Sequence, residues 1–430
     1  MEYEAGNSLE HQLIAAGHYP EARSANKGVE PEGAETGTYD ETTHVFIGAE
    51  RANAVGVYTV SDAGAVTPLQ TLPTGIGPEG LKAIPDENLF VVAAETNLAA
   101  EEETVGLPTS IVTIYTHGAS APTYPMLTSA EVDGVPTPWT AMSGLAGSAE
   151  GDMLHGVSDS ILGVGYIYPI DASGDSGLIT GRIPVTGASF NLDLEGIAIA
   201  PEGGFWLASE GRYTDDGEER PNALVLTDAT GAVQAEYDLP AALVEQATSS
   251  GFEGVAIGTD ESGSTEYVYA VVQREWADDE DNTVKIARLD PTDGTWAFAT
   301  YEKAEPESAN GGWVGLSEIT ALSDGTFAIV ERDNQLGGFA AIKRVTTVDL
   351  AAATFVAYGQ PLQAVPVTPA LDLLDELEDA SIVTPDKLEG LGITGNGHVW
   401  IATDNDGLDD AIGQTLFMDL GTEDTVFGQG

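Results

Sequence analysis

Apolar residues along this chain fall into short runs that come in pairs, each pair separated by a polar turn. Seven segments share the pattern, at 31–51, 78–95, 142–159, 194–210, 252–275, 316–332 and 388–405. In each, an apolar run is followed by a turn usually containing Asp, Asn or Gly, then by a second run rich in Val, Ile, Phe and Trp. Strand-length runs bounded by turn residues predict β-hairpins. The hairpins open at 32, 79, 143, 195, 253, 317 and 389, spacings that leave room for four strands and their loops. Between them lie further strand candidates, such as ALVLTD (223–228) and AVQAEYDLP (232–240). The pattern predicts one all-β unit over residues 1–430, a seven-bladed β-propeller of four-stranded antiparallel blades.

Such a ring must close, or its first and last blades expose strand edges. After the seventh hairpin only TLFMDLG (415–421) reads as a strand, so HQLIAAGHYP (11–20) is expected to close the last blade as an N-terminal strand. Helical spacing is confined to AALVEQA (241–247) and LDLLDELEDA (371–380), placed in loops between blades. No apolar run approaches the roughly 20 residues of a membrane-crossing helix.

Charge changes the picture. The chain has 70 acidic and 15 basic residues, a formal charge of −55. Phosphate backbones and anionic membrane surfaces are poor partners for such a surface, so neither nucleic acid nor membrane insertion is expected. An acidic, Lys-poor surface suits high salt, where screening removes self-repulsion, and points to a halophilic or marine origin or a calcium-rich exterior. There is no cysteine, so disulfides are not in use. The N-terminus has no signal-peptide pattern; an exported protein would have lost its leader.

The candidate chemistry lies in two columns of the repeat. The first strands open on Glu32, Glu79, Ser143, Glu195, Glu253, Ser317 and Glu389. The second strands close on Glu50, Glu95, Asp159, Glu210, Gln273, Glu331 and Asp404. Both columns belong to the same end of every hairpin, so their carboxylates are expected to converge at one mouth of the channel. Crowded carboxylates raise one another's pKa or require cations. Arg51, Arg212, Arg274 and Arg332 follow the second column by one or two positions, and are four of only nine arginines. Glu–Arg pairs can fix an anion, and the remaining carboxylates (Glu32, Glu79, Glu95, Glu195, Glu253, Glu389 and Asp404) can hold Ca²⁺. A Glu opening a strand can instead bond backbone N–H groups of the next blade, a purely structural use. His44 and His398 are expected to be packed or exposed rather than metal-bound. Asp404-Asn405-Asp406-Gly407 only loosely matches a calcium loop, and the acidic stretches 215–220 and 277–282 are expected to be solvated loops.

These motifs resemble a known family. LEGIAIAPEGGFWLASEG (194–211), GFEGVAIG (251–258), VVQRE (271–275) and EGLGITGNGHVWIATDND (389–406) are similar to the phytase-like domain named for the esterase-like activity of phytase, over about 180–410. RSANKGVEPEG (23–33), FIGAER (46–51), VGVYTVSD (55–62) and GPEGLKAIP (77–85) resemble choice-of-anchor I propeller proteins. The resemblance implies an extracellular or periplasmic propeller that hydrolyses phosphate or carboxylic esters. Ser143, and Ser317 followed by Glu318, depart from the family's Glu-Gly pattern. The leading expectation is a metal-dependent hydrolase of a small anionic or ester substrate. Calcium would offset substrate charge, Arg51, Arg212, Arg274 and Arg332 would clamp phosphate oxygens, and Glu210 or Glu331 would act as general base. A non-catalytic propeller with a structural calcium, binding a ligand, glycan or protein, and a lactonase-like propeller are the alternatives.

Overall fold

The computed structural model describes residues 3–118, 124–174, 176–214, 217–260, 262–263, 266–408 and 411–428. All seven expected hairpins form, and neighbouring strands within each sheet are antiparallel except one short parallel pair at the edge of sheet 3. Sheet 1 comprises Pro31–Tyr39, Thr42–Ala49, Ala54–Val60 and Val66–Pro73; sheet 2 has the three strands Pro78–Ile84, Leu89–Ala94 and Ile111–Thr116. Sheets 3, 4, 5 and 6 begin at Met142–Gly147, Leu194–Ile199, Phe252–Thr259 and Val314–Ala321. Sheet 7 has the strands Leu388–Ile393, His398–Thr403 and Phe417–Thr422.

The apolar cores show how the sheets stand to one another. Trp206 of sheet 4 packs with Phe252 of sheet 5, Tyr269 of sheet 5 with Phe327 of sheet 6, and Val345 of sheet 6 with Leu391 of sheet 7. Met142 and Leu145 of sheet 3 share a core with Trp400 and Phe417 of sheet 7, and Val157 of sheet 3 shares one with Leu207 of sheet 4. Sheets 3 to 7 thus follow one another in a cycle, and their first strands pack side by side in the same order. Sheets 1 and 2 stand outside that cycle, joined by a separate core of Phe46, Val57, Phe90 and Val92. Seven sheets around one axis does not describe this packing, because sheet 7 meets sheet 3 where a ring of seven would need it to meet sheet 1. A two-sheet lobe beside a five-sheet cycle replaces the expected single ring.

Closure also differs from expectation. Residues 8–15 form a helix, Ser8–Ala15, that packs its Leu9 and Leu13 on sheet 1. Its apolar residues recur at helical spacing, and the neighbouring Gly17 has φ +72°, which ends the helix. The edge of sheet 7 is met instead by the segment leaving the lobe: Phe417 N–H donates to Pro125 O at 2.8 Å, and Met126 bridges Leu416. Thr128–Ser129 then pairs with Leu178–Ile179 at the outer edge of sheet 3. One strap thereby ties the last sheet of the cycle to its first. The helices expected at 241–247 and 371–380 are present as Ala241–Val244 and Leu374–Ala380.

Every first strand carries a register shift near its opening, and the first-column residue of the sequence pattern is skipped there, together with Gly254 in sheet 5. A bulge re-aims the side chain it releases. In the cycle, the bulged Ser143, Glu195, Glu253, Ser317 and Glu389 are all buried. The residue after the bulge is Gly144, Gly196, Gly254 or Gly390 in four sheets and Glu318 in the other. The glycines are needed for close approach: a Cβ on Gly196 would stand 2.5 Å from Glu253 O, and one on Gly254 only 2.3 Å from Ile319 N. Because these obstacles are backbone, Gly254→Ala is expected to cost about 1–3 kcal/mol or more of stability, read from urea unfolding. Glu318 fills the space its neighbours leave open, and its carboxylate accepts N–H from Leu145 at 3.2 Å and from Ile319 at 2.9 Å. Burial pushes its pKa up, against the backbone N–H bonds it accepts, and it plugs the space between the first strands.

Candidate functional site

Three of the bulged residues meet. Glu195, Glu253 and Glu389 each offer an oxygen lying within 4.8 Å of the other two, and all three are buried. Asp193, Glu195 and Glu210 form a second such group. Glu195, Glu210, Glu253 and Glu389 open onto a cavity of about 530 Å³ whose walls include Gln273, Trp313, Arg332 and Lys387. Residues 104–107 of the lobe form part of its rim.

The polar partners account for only part of the charge. Gln273 Nε2 donates to Glu253 Oε1 at 2.6 Å. The guanidinium of Arg332 pairs with Glu389, and its Nε donates to Ser317 Oγ at 3.0 Å. Glu210 accepts Gly251 N–H at 2.8 Å. Lys387 pairs with Asp404 at 3.1 Å and also with Asp406. Glu195 has neighbouring carboxylates on several sides: burial, then Glu253, Asp193 and Glu210, push its pKa well above the usual range. Burial and then Glu389 do the same to Glu253. Glu210 is pushed up to about 8, chiefly by burial, against the opposing Gly251 hydrogen bond. Asp159 also rises to about 8, by burial and then by Asp404.

Such shifts carry a stability consequence. A carboxyl raised in the folded state holds a proton that the unfolded chain releases above its ordinary pKa of 4.5. Without added cation, stability is therefore expected to fall as pH rises from about 4.5 to 8 for Glu210. The slope is about 1.4 kcal/mol per pH unit for each such group within its window. Urea unfolding at pH 5, 6, 7 and 8 in a chelator checks the sign, and added calcium is expected to flatten the profile.

The remaining expected site residues are dispersed. Glu32 and Glu79 open the lobe's own hairpins and are exposed, as is Glu95. Glu32 lies near the buried Glu30 and Glu50, and Arg51 pairs with that group, Glu50 at 2.7 Å and Glu30 at 3.2 Å. Arg212 is exposed on the hairpin Arg212–Thr214 and Gly217–Arg220 and pairs with Glu219 at 3.1 Å. Arg274 stacks over Trp313 at 4.6 Å, and Arg332 stacks over the same ring at 5.2 Å. Only Arg332 of the four arginines lines the cavity.

Glu331 is corrected by register. Leu316, the counterpart of Leu194, pairs with Glu331, whereas Leu194 pairs with Ser209. The residue equivalent to Glu210 is therefore Arg332, and a slip of one position turns Glu331 to the opposite face of its strand. There it is sealed between sheets, bonded to Arg344 at 2.9 Å and Tyr301 Oη at 3.1 Å. Asp404 is buried, but the ammonium of Lys387 sits between it and Asp406, and Asn405 is spent on Ala141 N–H at 2.9 Å. That loop is a salt bridge and a tether, not a calcium loop. His44 is packed and His398 bonds Asp419 at 2.8 Å.

Four contributors were not singled out from the sequence: Asp193, Trp313, Lys387 and Arg220. Asp215 and Asp216 lie outside the described residues; Arg220, at the far end of that acidic stretch, bonds Glu210 O at 2.8 Å and pairs with Asp193. The Asp193-x-Glu195 spacing beside the bulge was the available signal for Asp193. Lys387 is two residues before the bulged Glu389, in the one sheet whose first strand is immediately preceded by a cation.

With this geometry in place, the comparisons with known proteins can be set beside it. A family profile described as phytase-like, "Esterase-like activity of phytase", matches residues 137–407. The chain belongs to the phytase-like family. The matched stretch covers sheets 3 to 7 apart from the edge strands Thr128–Ser129 and Phe417–Thr422. A "Choice-of-anchor I domain" profile matches residues 1–63, within the N-terminal helix and sheet 1. No curated protein matches. Among solved structures, the periplasmic gluconolactonase PpgL of Pseudomonas aeruginosa is 13% identical over 90% of this chain and 96% of its own, with a TM-score of 0.32. The hydrazine synthase of Kuenenia stuttgartiensis is 12% identical over 92% and 97%, with a TM-score of 0.31.

Proposed function

We propose that the five-sheet cycle is a five-bladed propeller that hydrolyses phosphate or other esters in the cavity above Glu195, Glu253 and Glu389, with a calcium ion held by those carboxylates. The observation that carries this reading is the meeting of three buried carboxylates with one guanidinium among them. Their chemistry fits a hard cation: three carboxylate oxygens within 4.8 Å of one another, from Glu195, Glu253 and Glu389, would hold it. When bound, the ion supplies charge to offset that developing on the substrate. Arg332, fixed by Ser317 and Glu389, faces the cavity and orients the substrate's anionic oxygen. Glu210, which lines the cavity beside Glu195 and accepts Gly251 N–H, is placed to pass a proton to the departing alkoxide while water adds at phosphorus or carbon. Arg274 supports this wall through Trp313 rather than through the substrate.

A lactone or neutral ester is the second reading, favoured because Arg332 and Lys387, the two cations lining the cavity, are both already ion-paired. A phosphomonoester, an aryl ester and a lactone assayed side by side with calcium separate the readings. If none is turned over while calcium still raises the melting temperature, the site is a structural calcium site in a binding protein. The family and the choice-of-anchor segment support an extracellular or periplasmic location, and the charge of −55 a saline or calcium-rich one. No helix among the described residues is long and apolar enough to cross a membrane.

A further inference from the structure

The cavity has two unlike walls. Its floor carries Glu195, Glu210, Glu253 and Glu389, while its rim is built partly from the lobe, through Val105 and Leu107, facing Trp313 and Leu336 of sheet 6 and its following loop. Residues 104–107 lie between the two stretches matched by family profiles. The loop is latched rather than loosely apposed. Asn310 Nδ2 donates to Val105 O at 2.7 Å and to Gln335 Oε1 at 3.1 Å. Gly106, at φ +98°, lies flat against Asn310, whose Nδ2 would stand 2.3 Å from any Cβ there. Despite this latch, Val105 remains 63% exposed, and Trp313 and Leu107 are half-buried. The cavity thus joins a partly exposed apolar rim to an acidic floor, surfaces suited to the apolar and polar parts of one ligand.

We infer that the 104–107 loop and Trp313 form a subsite for an apolar alkyl or aryl group, so that the preferred substrate has one polar reacting end and an apolar tail. The inference rests on the hydrolase reading for its chemistry, but binding alone tests it. A densely charged polyanion suits this cavity poorly, because its lining cations are already paired.

Calorimetric titration of methylphosphonate and hexylphosphonate, both with calcium, provides the test. Each buried methylene is worth up to about fourfold in affinity, so a half-open rim is expected to give hexylphosphonate an advantage of about tenfold. The double variant Val105→Ser with Leu107→Ser is expected to reduce that advantage to less than about threefold, and Asn310→Ala, which unlatches the loop, to reduce it partly. A melting curve close to the parent's shows that each variant is folded. Equal affinity of the parent for both phosphonates overturns the inference while leaving the hydrolase reading standing. A hexyl advantage that survives in both variants also overturns it, since the tail then lies elsewhere. A hexyl advantage lost in the variants, with no ester turned over, supports the subsite and sinks the hydrolase reading. Binding of neither compound sinks both.

Discussion

Glu253→Gln is expected to make the cation-free protein more stable and the calcium-loaded protein less stable. The two effects have one cause. Glu253 is buried against Glu195 and Glu389, and without a cation its ionisation is opposed by burial and by the Glu389 charge. An amide of the same shape removes that cost and can still bond Gln273. It also removes one of three oxygen ligands carrying charge. At calcium concentrations about 100 times the dissociation constant, binding stabilises the native parent by about 2.7 kcal/mol, and most of that is expected to vanish in the variant. Ester hydrolysis is expected to fall by at least two orders of magnitude, equivalent to about 2.7 kcal/mol of transition-state stabilisation. Melting temperature against calcium concentration, measured beside activity, reads both arms. A variant that responds to calcium like the parent removes the triad from consideration as the metal site.

Arg332→Leu is expected to be the most destabilising single change at the mouth, by about 3–5 kcal/mol in urea unfolding at neutral pH. Its guanidinium is 2% exposed as a residue, paired with Glu389 and bonded to Ser317, and Leu leaves Glu389 with a buried charge and no partner. The double variant Arg332→Leu with Glu389→Gln is expected to recover a large part of the loss, because the uncompensated charge is gone. Equal losses in the single and double variants would show that packing against Trp313, not the ion pair, is what Arg332 contributes.

Much of the site was legible as a column of residues and not as a place. Glu195, Glu253 and Glu389 were found because each opens the first strand of its hairpin, and the bulge common to all seven hairpins confirms that they are equivalent. The same rule named Glu32 and Glu79, which occupy the equivalent bulge in the lobe, outside the cycle. Glu331 was misplaced by a single residue, enough in a strand to move a side chain from the mouth to the core between sheets. Glu318 was noticed as a departure, yet its use as a plug depends on the space left by Gly144 and Gly254 on other sheets.

Alternation of apolar and polar residues, the turns between runs and the repeated Glu-Gly opening are local, and from them alone came the hairpins, their antiparallel order and the candidate carboxylates. Which sheets are neighbours is not local. It follows from how Trp400 and Phe417 of sheet 7 pack with Met142 and Leu145 of sheet 3, contacts between residues far apart in the chain. Local patterns constrain a residue's face and neighbours along its own strand, whereas the number of sheets that close a cycle is set by side-chain volumes packed between sheets. That packing decided that five sheets surround the carboxylates and that the other two supply a wall.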